Sequence, residues 1–219
     1  MIRHHPDDAL LLALAAGTVG AGHRLLLEVH LEGCSHCRQR MRQMEALGGT
    51  LLGELTPAEL APDALERTLA AIDAVQEAGP LHRPNAKPEA AKPWLPTRWP
   101  LAMASCQVGR WHWMGPGMYW NRVTLADESD GNVFMLRIGP GRMLPRHTHS
   151  GSELTQVLYG AFDDGRAEFA AGDFDETDGS IRHQPVVGST GECICLASVE
   201  GKVVFEGWVA RAMGGLVGM

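Results

Sequence analysis

Cys34 and Cys37, with His30 before them, have the types and the spacing of a metal site near the N-terminus. Residues three apart at the start of a helix lie on one face, so both sulfurs can reach a single ion. His30 lies four residues before Cys34, at the end of a preceding helical stretch. A structural zinc takes four ligands of these types. The nearby candidates for the fourth ligand are His4, His5 and His36.

A Cys-x-x-Cys pair can instead be a redox couple, as in thioredoxin-like folds. In those folds a strand precedes the pair, whereas a helical pattern precedes Cys34 here. Since His30 is also placed to join the two sulfurs, zinc is the preferred interpretation. Four protein ligands would leave no position for a catalytic water, so such a zinc would be structural.

A second set of metal-binding residue types lies in the C-terminal half of the chain. His147 and His149 are two residues apart, so on a strand they point to one face. Glu153 follows after a Ser-Gly-Ser bend, and His183 comes from a later segment that can cross the same point. Three imidazoles and one carboxylate suit zinc, iron, manganese or nickel, and ligand type alone does not choose among these metals.

Cys193 and Cys195 share a face if their segment is a strand. Their Cα atoms would then lie about 6.5 Å apart, near the outer limit for a disulfide. Two interpretations stay open: a pair of small buried apolar side chains, or oxidant-sensing thiols close to the second metal set. Cys106 has no assigned role.

The elements that must position these residues change in character near residue 80. Before it, apolar residues recur at helical spacing, which predicts four helices within residues 10–17, 25–31, 34–49 and 62–79. Thr56 and Glu59 have the capping-box spacing, with Pro57 at the first helical position, and predict a helix start there. The last helical stretch has an apolar stripe. Its members are Leu65, Leu69, Ile72 and Val75.

Residues 80–100 contain six prolines and read as a semi-extended linker, in which Trp94 and Trp99 indicate packing on another part of the chain. Short strand-like runs follow at 118–125, 133–138, 154–159 and 193–198, separated by glycine-containing turns. Many short strands at this spacing are typical of a sandwich or a barrel. The predicted organisation is α + β: a helical domain over 1–79, a linker over 80–100 and a β domain over 101–219.

Composition narrows the class of protein. A net charge of −7 argues against direct nucleic-acid binding, which needs a basic face. The apolar run at residues 9–16 is far shorter than the roughly 20 residues of a membrane span. Five cysteines, an odd number with two at a metal-type spacing, favour a reducing cytoplasm over a disulfide framework.

The run Gly141-x5-His147-x-His149-x3-Glu153-x6-Gly160 matches the first cupin motif at every position. This resemblance implies a double-stranded β-helix barrel over about residues 100–210.

The second cupin motif is looser. Gly172 and His183 fit its glycine and histidine, but the interval between them is longer than usual, and Val187 stands where asparagine is expected.

The N-terminal half resembles the zinc-binding anti-sigma domain, and its combination with a cupin resembles the ChrR family of anti-sigma factors. The resemblance includes residues 2–5 (Ile-Arg-His-His), 15–18 (Ala-Ala-Gly-Thr) and 193–197 (Cys-Ile-Cys-Leu-Ala), and departs in the linker and after Trp208. It implies two ligand sets. The zinc ligands would be His5, His30, Cys34 and Cys37, and the cupin ligands His147, His149, Glu153 and His183.

The resemblance implies a cytoplasmic regulator, not an enzyme. Its helical domain would sequester an extracytoplasmic-function sigma factor from core RNA polymerase. Its cupin would hold a second divalent metal, with zinc preferred over iron, manganese and nickel, and would sense singlet oxygen or organic hydroperoxide. Acidic side chains would help to steer the domain to a basic sigma surface. They are Asp7, Asp8, Glu28 and Glu32.

Two other classes remain open. A metal-dependent cupin dioxygenase with an accessory helical domain is one, because three histidines and a glutamate leave coordination positions free on iron. A small-molecule binding module that regulates a protein other than a sigma factor is the second.

Overall fold

Four α-helices form the N-terminal part of the chain, in a computed structural model that describes residues 1–77, 94–126 and 132–206. They are α1 (Asp8–Ala15), α2 (Ala21–Gly33), α3 (Ser35–Gly53) and α4 (Ala64–Glu77). The predicted four helices are confirmed. Their bounds differ in places, since α3 continues past Gly48 and Gly49 to Gly53. No helix in the described ranges has the length and apolarity that crossing a membrane requires.

The predicted helix start at Thr56 is wrong. Residues 56–61 form no helix, and α4 begins only at Ala64. A helix that began at Pro57 would place Pro62 inside it, where the ring clashes with the preceding turn and the backbone donor is missing. The second proline therefore overrides the capping-box pattern.

Twelve β-strands form the C-terminal part, within the described residues. They are β1 (Gln107–Val108), β2 (His112–Gly115), β3 (Met118–Thr124), β4 (Val133–Ile138), β5 (His147–His149), β6 (Glu153–Tyr159), β7 (Ala161–Asp163), β8 (Glu168–Ala170), β9 (Phe174–Thr177), β10 (Val186–Val187), β11 (Cys193–Val199) and β12 (Val203–Phe205). A seven-stranded antiparallel sheet has the order β1-β3-β4-β11-β6-β9, with β2 beside β3. Smaller sheets, β10-β7-β8 and β12-β5, complete the cupin-like domain, as predicted.

The central strands of the large sheet are buried on both faces. Along β11, Ile194 and Leu196 belong to one hydrophobic core, whereas Cys193, Cys195 and Ala197 belong to another. Strand β4 alternates in the same way. This explains why both segments read as continuous apolar runs and not as alternating ones.

The first of these cores joins the helices to the sheet. Leu26 and Leu27 of α2 pack with Leu154 of β6, Phe174 of β9 and Leu196 of β11. The second core fills the space between the large sheet and the smaller ones. Helices α1 and α2 therefore form a layer on the outer face of the large sheet.

The contact between α2 and the sheet is closest at Gly22. A Cβ on Gly22 would lie 2.5 Å from the Ser198 Oγ and 2.9 Å from the Val133 Cγ2. The next residue, His23, is buried, and its two ring nitrogens lie 2.8 and 2.9 Å from the hydroxyls of Ser198 and Ser152. Hence α2 is fixed to the sheet by close packing and by a polar bridge.

The end of the predicted linker packs as expected from its tryptophans. Trp99 packs against the first core, and Leu95 is buried within it. The guanidinium carbon of Arg137 lies 5.5 Å from the centre of the Trp94 ring. Residues 80–93 of the linker lie outside the described residues. The predicted bounds of the helical domain, the linker and the β domain therefore stay a prediction.

The contact at Gly22 predicts a difference between two glycine-to-alanine variants. We expect Gly22→Ala to be about 1–3 kcal/mol less stable than Gly48→Ala, because both gain helix propensity and only the first overpacks the sheet. A Cβ on Gly48 meets nothing within 4 Å. Urea unfolding of the two variants, followed by circular dichroism, measures the difference. Equal stabilities would contradict the close packing of α2.

Candidate metal sites

The junction of α2 and α3 brings His30 and the two cysteines together. Cys34 alone separates the helices, with an extended backbone (φ −104°, ψ 103°). Its N–H donates to the His30 carbonyl at 3.0 Å, and its Sγ accepts from the Cys37 N–H at 3.4 Å. Thus one residue ends the helix that carries His30 and begins the helix that carries Cys37.

His5 completes the cluster from the N-terminal segment. Its Nδ1 lies 3.3 Å from the Cys34 Sγ and 3.4 Å from the Cys37 Sγ. The segment is held on the sheet because the backbone N–H of His4 donates to the Asp173 carboxylate at 3.1 Å. Of the other two candidates, His4 packs its ring on Phe169, and His36 is exposed beside His5.

The four side chains fit a tetrahedral zinc. One ligand atom from each lies within 4.8 Å of all the others. Zinc bonds of about 2.0–2.1 Å to nitrogen and about 2.3 Å to sulfur separate neighbouring ligand atoms by roughly 3.3–3.8 Å. The observed nitrogen–sulfur distances are 3.3 and 3.4 Å. The buried His30 Nε2 has no hydrogen-bond partner among the described residues. A nitrogen that binds a metal would lack such a partner when the metal is absent.

The protonation states of the buried ligands also suit a bound cation. Burial raises the pKa of Cys37 to about 12, and the hydrogen bond and charge of Cys34 add to the rise. Burial lowers the pKa of His30 to about 4, so its imidazole is neutral near pH 7. The buried Cys37 thiol therefore resists ionisation on its own, whereas a bound divalent cation would hold it as a thiolate.

The second cluster is built where β5 meets the segment before β10. His147 and His149 are the two ends of β5 and point the same way. His183 faces His147 across a pair of antiparallel backbone hydrogen bonds, each 3.1 Å long. Glu153 opens β6, and its Oε2 lies 2.8 Å from the His149 Nε2. All four side chains are buried.

The nitrogens of the second cluster converge on one point. The His183 Nε2 lies 3.0 Å from the His147 Nε2 and 3.3 Å from the His149 Nε2. Metal–nitrogen bonds of about 2.0–2.1 Å give separations of about 2.9–3.3 Å for octahedral or tetrahedral geometry. The His147 Nδ1 is 2.7 Å from the Pro145 carbonyl and donates to it, which leaves Nε2 free to bind.

The electrostatics of the second cluster suit a divalent metal as well. Burial lowers the pKa of His183 to about 4, and the charge of His147 adds to this. Burial alone would raise the pKa of Glu153, but the hydrogen bond from His149 and the three nearby imidazoles lower it. A neutral His183 imidazole beside an ionised Glu153 carboxylate has the protonation states that metal binding needs.

Comparison with known proteins places the chain in a family. Residues 101–202 match the family model of the ChrR cupin-like domain. The anti-sigma-E factor ChrR of Cereibacter sphaeroides is 34% identical over 211 residues, which cover 96% of this chain and 95% of the relative. The chain belongs to the ChrR family of anti-sigma factors.

A solved structure extends this likeness to the fold. The crystal structure of Rhodobacter sphaeroides SigE in complex with the anti-sigma ChrR contains a chain that is 35% identical to this one. The match covers 91% of this chain and all of that chain, with a TM-score of 0.70. The resemblance expected from the sequence is thereby confirmed across both the helices and the cupin-like domain.

Polar residues that the sequence did not reveal surround His183 in this ChrR-family chain. The Asp164 Oδ2 lies 3.6 Å from the His183 Nδ1. Arg166 donates to Asp164 at 2.7 Å and to both carboxylate oxygens of Asp175 at 2.7 and 2.8 Å. Burial raises the pKa of Asp175 to about 7 despite Arg166. The distance from Asp164 to His183 is too long for a hydrogen bond, and no spacing rule in the sequence connects these polar residues to the histidine.

Two further residues acquire roles from tertiary packing. Gln156 of β6 lies 3.0 Å from His30, and His23 bridges α2 to the sheet. Gln156 left one signal in the sequence: it is a polar residue between Leu154 and Leu158 on the otherwise apolar face of its strand. His23 left none, because a lone histidine on a helix is most often a core or surface residue.

Cys193 and Cys195 lie on the inner face of β11, with their sulfurs 3.5 Å apart. All five cysteines of the chain are described, and none forms a disulfide. The hydrogen bond between the two thiols, followed by burial, raises the pKa of Cys195 well above its usual value. A buried, protonated thiol reacts slowly, which favours the interpretation as small core residues.

The geometry predicts two independent metal sites. We expect about two divalent ions per chain by plasma mass spectrometry. Replacing Cys34 and Cys37 by serine should remove one ion, and replacing His147 and Glu153 by alanine should remove the other, because the clusters share no ligand. A pair of substitutions that removed both ions, or neither, would contradict independent sites.

Proposed function

We propose that this chain binds an extracytoplasmic-function sigma factor in the cytoplasm and keeps it from core RNA polymerase. The proposal is supported by the ChrR relative, which was solved in complex with SigE. The match to this chain covers the whole length of that ChrR chain. The observation in this chain that carries the proposal is a set of apolar side chains on α3 and α4 that no other part of the described chain covers.

This α3–α4 apolar surface is defined by large aliphatic side chains that are at least half exposed. Its members are Leu47, Leu51, Leu52, Leu65, Leu69 and Ile72. None of the α4 side chains described, residues 64–74, is buried. Isolated exposed leucines are ordinary, but an apolar stripe along a whole helix indicates a binding face.

The zinc cluster would fix how this surface is presented. Its ligands come from the N-terminal segment, the end of α2, the junction and the first turn of α3. With four protein ligands the site is closed, so its role would be structural. The binding free energy of the ion would then be part of the folding free energy of the helical layer.

Electrostatic steering by the N-terminal acids would be weaker than the sequence alone suggested. Asp7 caps α1, and Asp8 forms an ion pair with Arg40 of α3. Glu32 accepts two backbone N–H groups at the 3-10 turn that starts at residue 101. Three of the four acids thus have partners within the chain, and the apolar surface would supply most of the affinity.

The cupin cluster would act as the sensor of oxidants. A signal there must weaken the hold of the helical layer on the sigma factor, and oxidation or displacement of a ligand is one route. The layer packs directly on the sheet that carries Glu153, so a change at the cluster has a short path to α2. The buried Cys193–Cys195 pair is less suited to react first.

The stripe on α4 predicts a charge-sensitive interface. We expect Leu69→Glu to weaken binding to the cognate sigma factor by at least about tenfold, because a buried unpaired charge at an interface costs more than about 2 kcal/mol. Ala74→Glu is the matched control, since helical geometry places residue 74 on the opposite side of α4. Calorimetric titration measures both. Similar losses in the two variants would contradict this face as the interface.

The two ligand sets predict separable effects on regulation. Replacing Cys34 and Cys37 by serine should abolish sigma binding together with zinc, since the angle between the helices is no longer fixed. Replacing His147 and Glu153 by alanine should leave binding intact and blunt the response to singlet oxygen or organic hydroperoxide. A sigma-dependent reporter with and without oxidant reads out both. Loss of inhibition in the cupin variant would make the cupin a scaffold and not a sensor.

A further inference from the structure

Gln156 brings a side chain of the cupin sheet to the zinc cluster of the helical layer. Its Oε1 lies 3.0 Å from the His30 Nδ1, and both side chains are buried. The other end of the amide is already used, because Nε2 donates to the Val157 carbonyl at 3.1 Å. The oxygen of Gln156 therefore faces His30, and the His30 Nδ1 must be the donor.

This hydrogen bond helps to decide which nitrogen of His30 can bind a metal, and the Gly172 backbone also forms a hydrogen bond with the ring. With the proton on Nδ1, the lone pair of the neutral ring lies on Nε2. That is the buried atom without a partner among the described residues, and His30 is one of the group formed with His5, Cys34 and Cys37. The Phe174 ring, edge-on with its centre 5.4 Å from that of His30, restricts the imidazole on another side.

We propose that Gln156 is a positioning residue of the zinc site, so that the cupin sheet supplies a part that the helices lack. The inference rests on the structural zinc of the proposed function. Partners of this kind fix the tautomer and the orientation of a metal-binding imidazole, and their loss typically costs about 10–100-fold in metal affinity. By reciprocity, zinc bound at His30 strengthens the packing of α2 on the sheet.

The position of Gln156 on β6 gives this contact a further meaning. Glu153 lies three residues earlier, so its side chain points to the opposite face of the strand, into the cupin cluster. One strand thus carries a metal-cluster side chain on one face and the His30 partner on the other. A shift of β6 at the cupin cluster would be felt directly at the zinc cluster.

The rate at which the full-length chain releases zinc to a chromogenic chelator tests the proposal. Zinc release from the helical site is identified as the kinetic phase that disappears when Cys34 and Cys37 are replaced by serine. We expect Gln156→Leu to release this zinc at least about tenfold faster than the wild type. Gln156→Glu keeps an acceptor for the His30 N–H, so its release rate should stay within about threefold of the wild-type rate.

The two substitutions separate positioning from packing, because a packing role predicts the opposite order. Leucine would then be tolerated as an apolar replacement of similar size, and a buried glutamate would be the harmful one. Thermal unfolding shows that each variant is folded before release is measured. If Gln156→Leu does not fold, Gln156→Met, whose thioether sulfur is only a weak acceptor, takes its place in the same comparison.

Ser198→Ala is the matched control, because it removes the hydrogen bond to His23 without touching the zinc cluster. Equal acceleration by Ser198→Ala and Gln156→Leu would overturn the proposal and attribute the effect to helix packing in general. The proposal would also be overturned if Gln156→Leu released zinc at the wild-type rate while the wild type holds zinc that depends on Cys34 and Cys37. A wild type without such zinc would instead overturn the structural zinc of the proposed function, and the positioning role with it.

Discussion

The packing of α2 on the seven-stranded sheet is the contact on which the other features depend. It buries the leucines of α2 in a core shared with β6, β9 and β11, and it places His30 at the surface of the sheet. At Gly22 the backbone of α2 comes so close to Ser198 that a side chain would not fit without a shift. Because α2 is fixed in this way, the zinc cluster at its C-terminus has a defined position relative to the cupin-like domain, and a small helical layer gains a core that it could not build alone.

The sheet contributes side chains to the surroundings of two clusters, because its central strands are covered by packed residues on both faces. Alternation along β6 sends Leu154, Gln156 and Leu158 toward the helices, while Glu153 and Val157 face the inside of the cupin. In most sheets such alternation separates a core from solvent. Here it separates two cores, each with a metal-type cluster. A strand in this position cannot shift on one face without disturbing the other, since protein interiors are close-packed.

The sequence predicted the parts of the sites that are set by local geometry, and it missed the parts that depend on packing. The period of a strand brings His147 and His149 to one face, and a helix start does the same for Cys34 and Cys37. Residue type and chain order made Glu153 and His183 candidates, and the cupin resemblance implied that both are ligands. Asp164 and Gln156 lie near His183 and His30 only because distant segments meet there, and a single sequence has no spacing rule for such meetings. The helix start at Thr56 failed for a different reason, because the local signal was correct in form but Pro62 made that helix impossible.

Helix α3 connects the zinc cluster to the α3–α4 apolar surface. It begins at the cysteine junction and ends at Gly53, beyond the exposed Leu51 and Leu52. Its 19 residues span about 28 Å, so a change of about 10° at the junction would move the far end by about 5 Å. Such a displacement is comparable to the width of a leucine side chain and would spoil the fit of a partner seated on the stripe. Four ligands around one bound ion would limit that angle more tightly than the ion pair between Asp8 and Arg40 does, because both members of that pair are more than a third exposed. A zinc ion held by these four ligands would therefore determine the geometry of the proposed binding surface without contacting the partner.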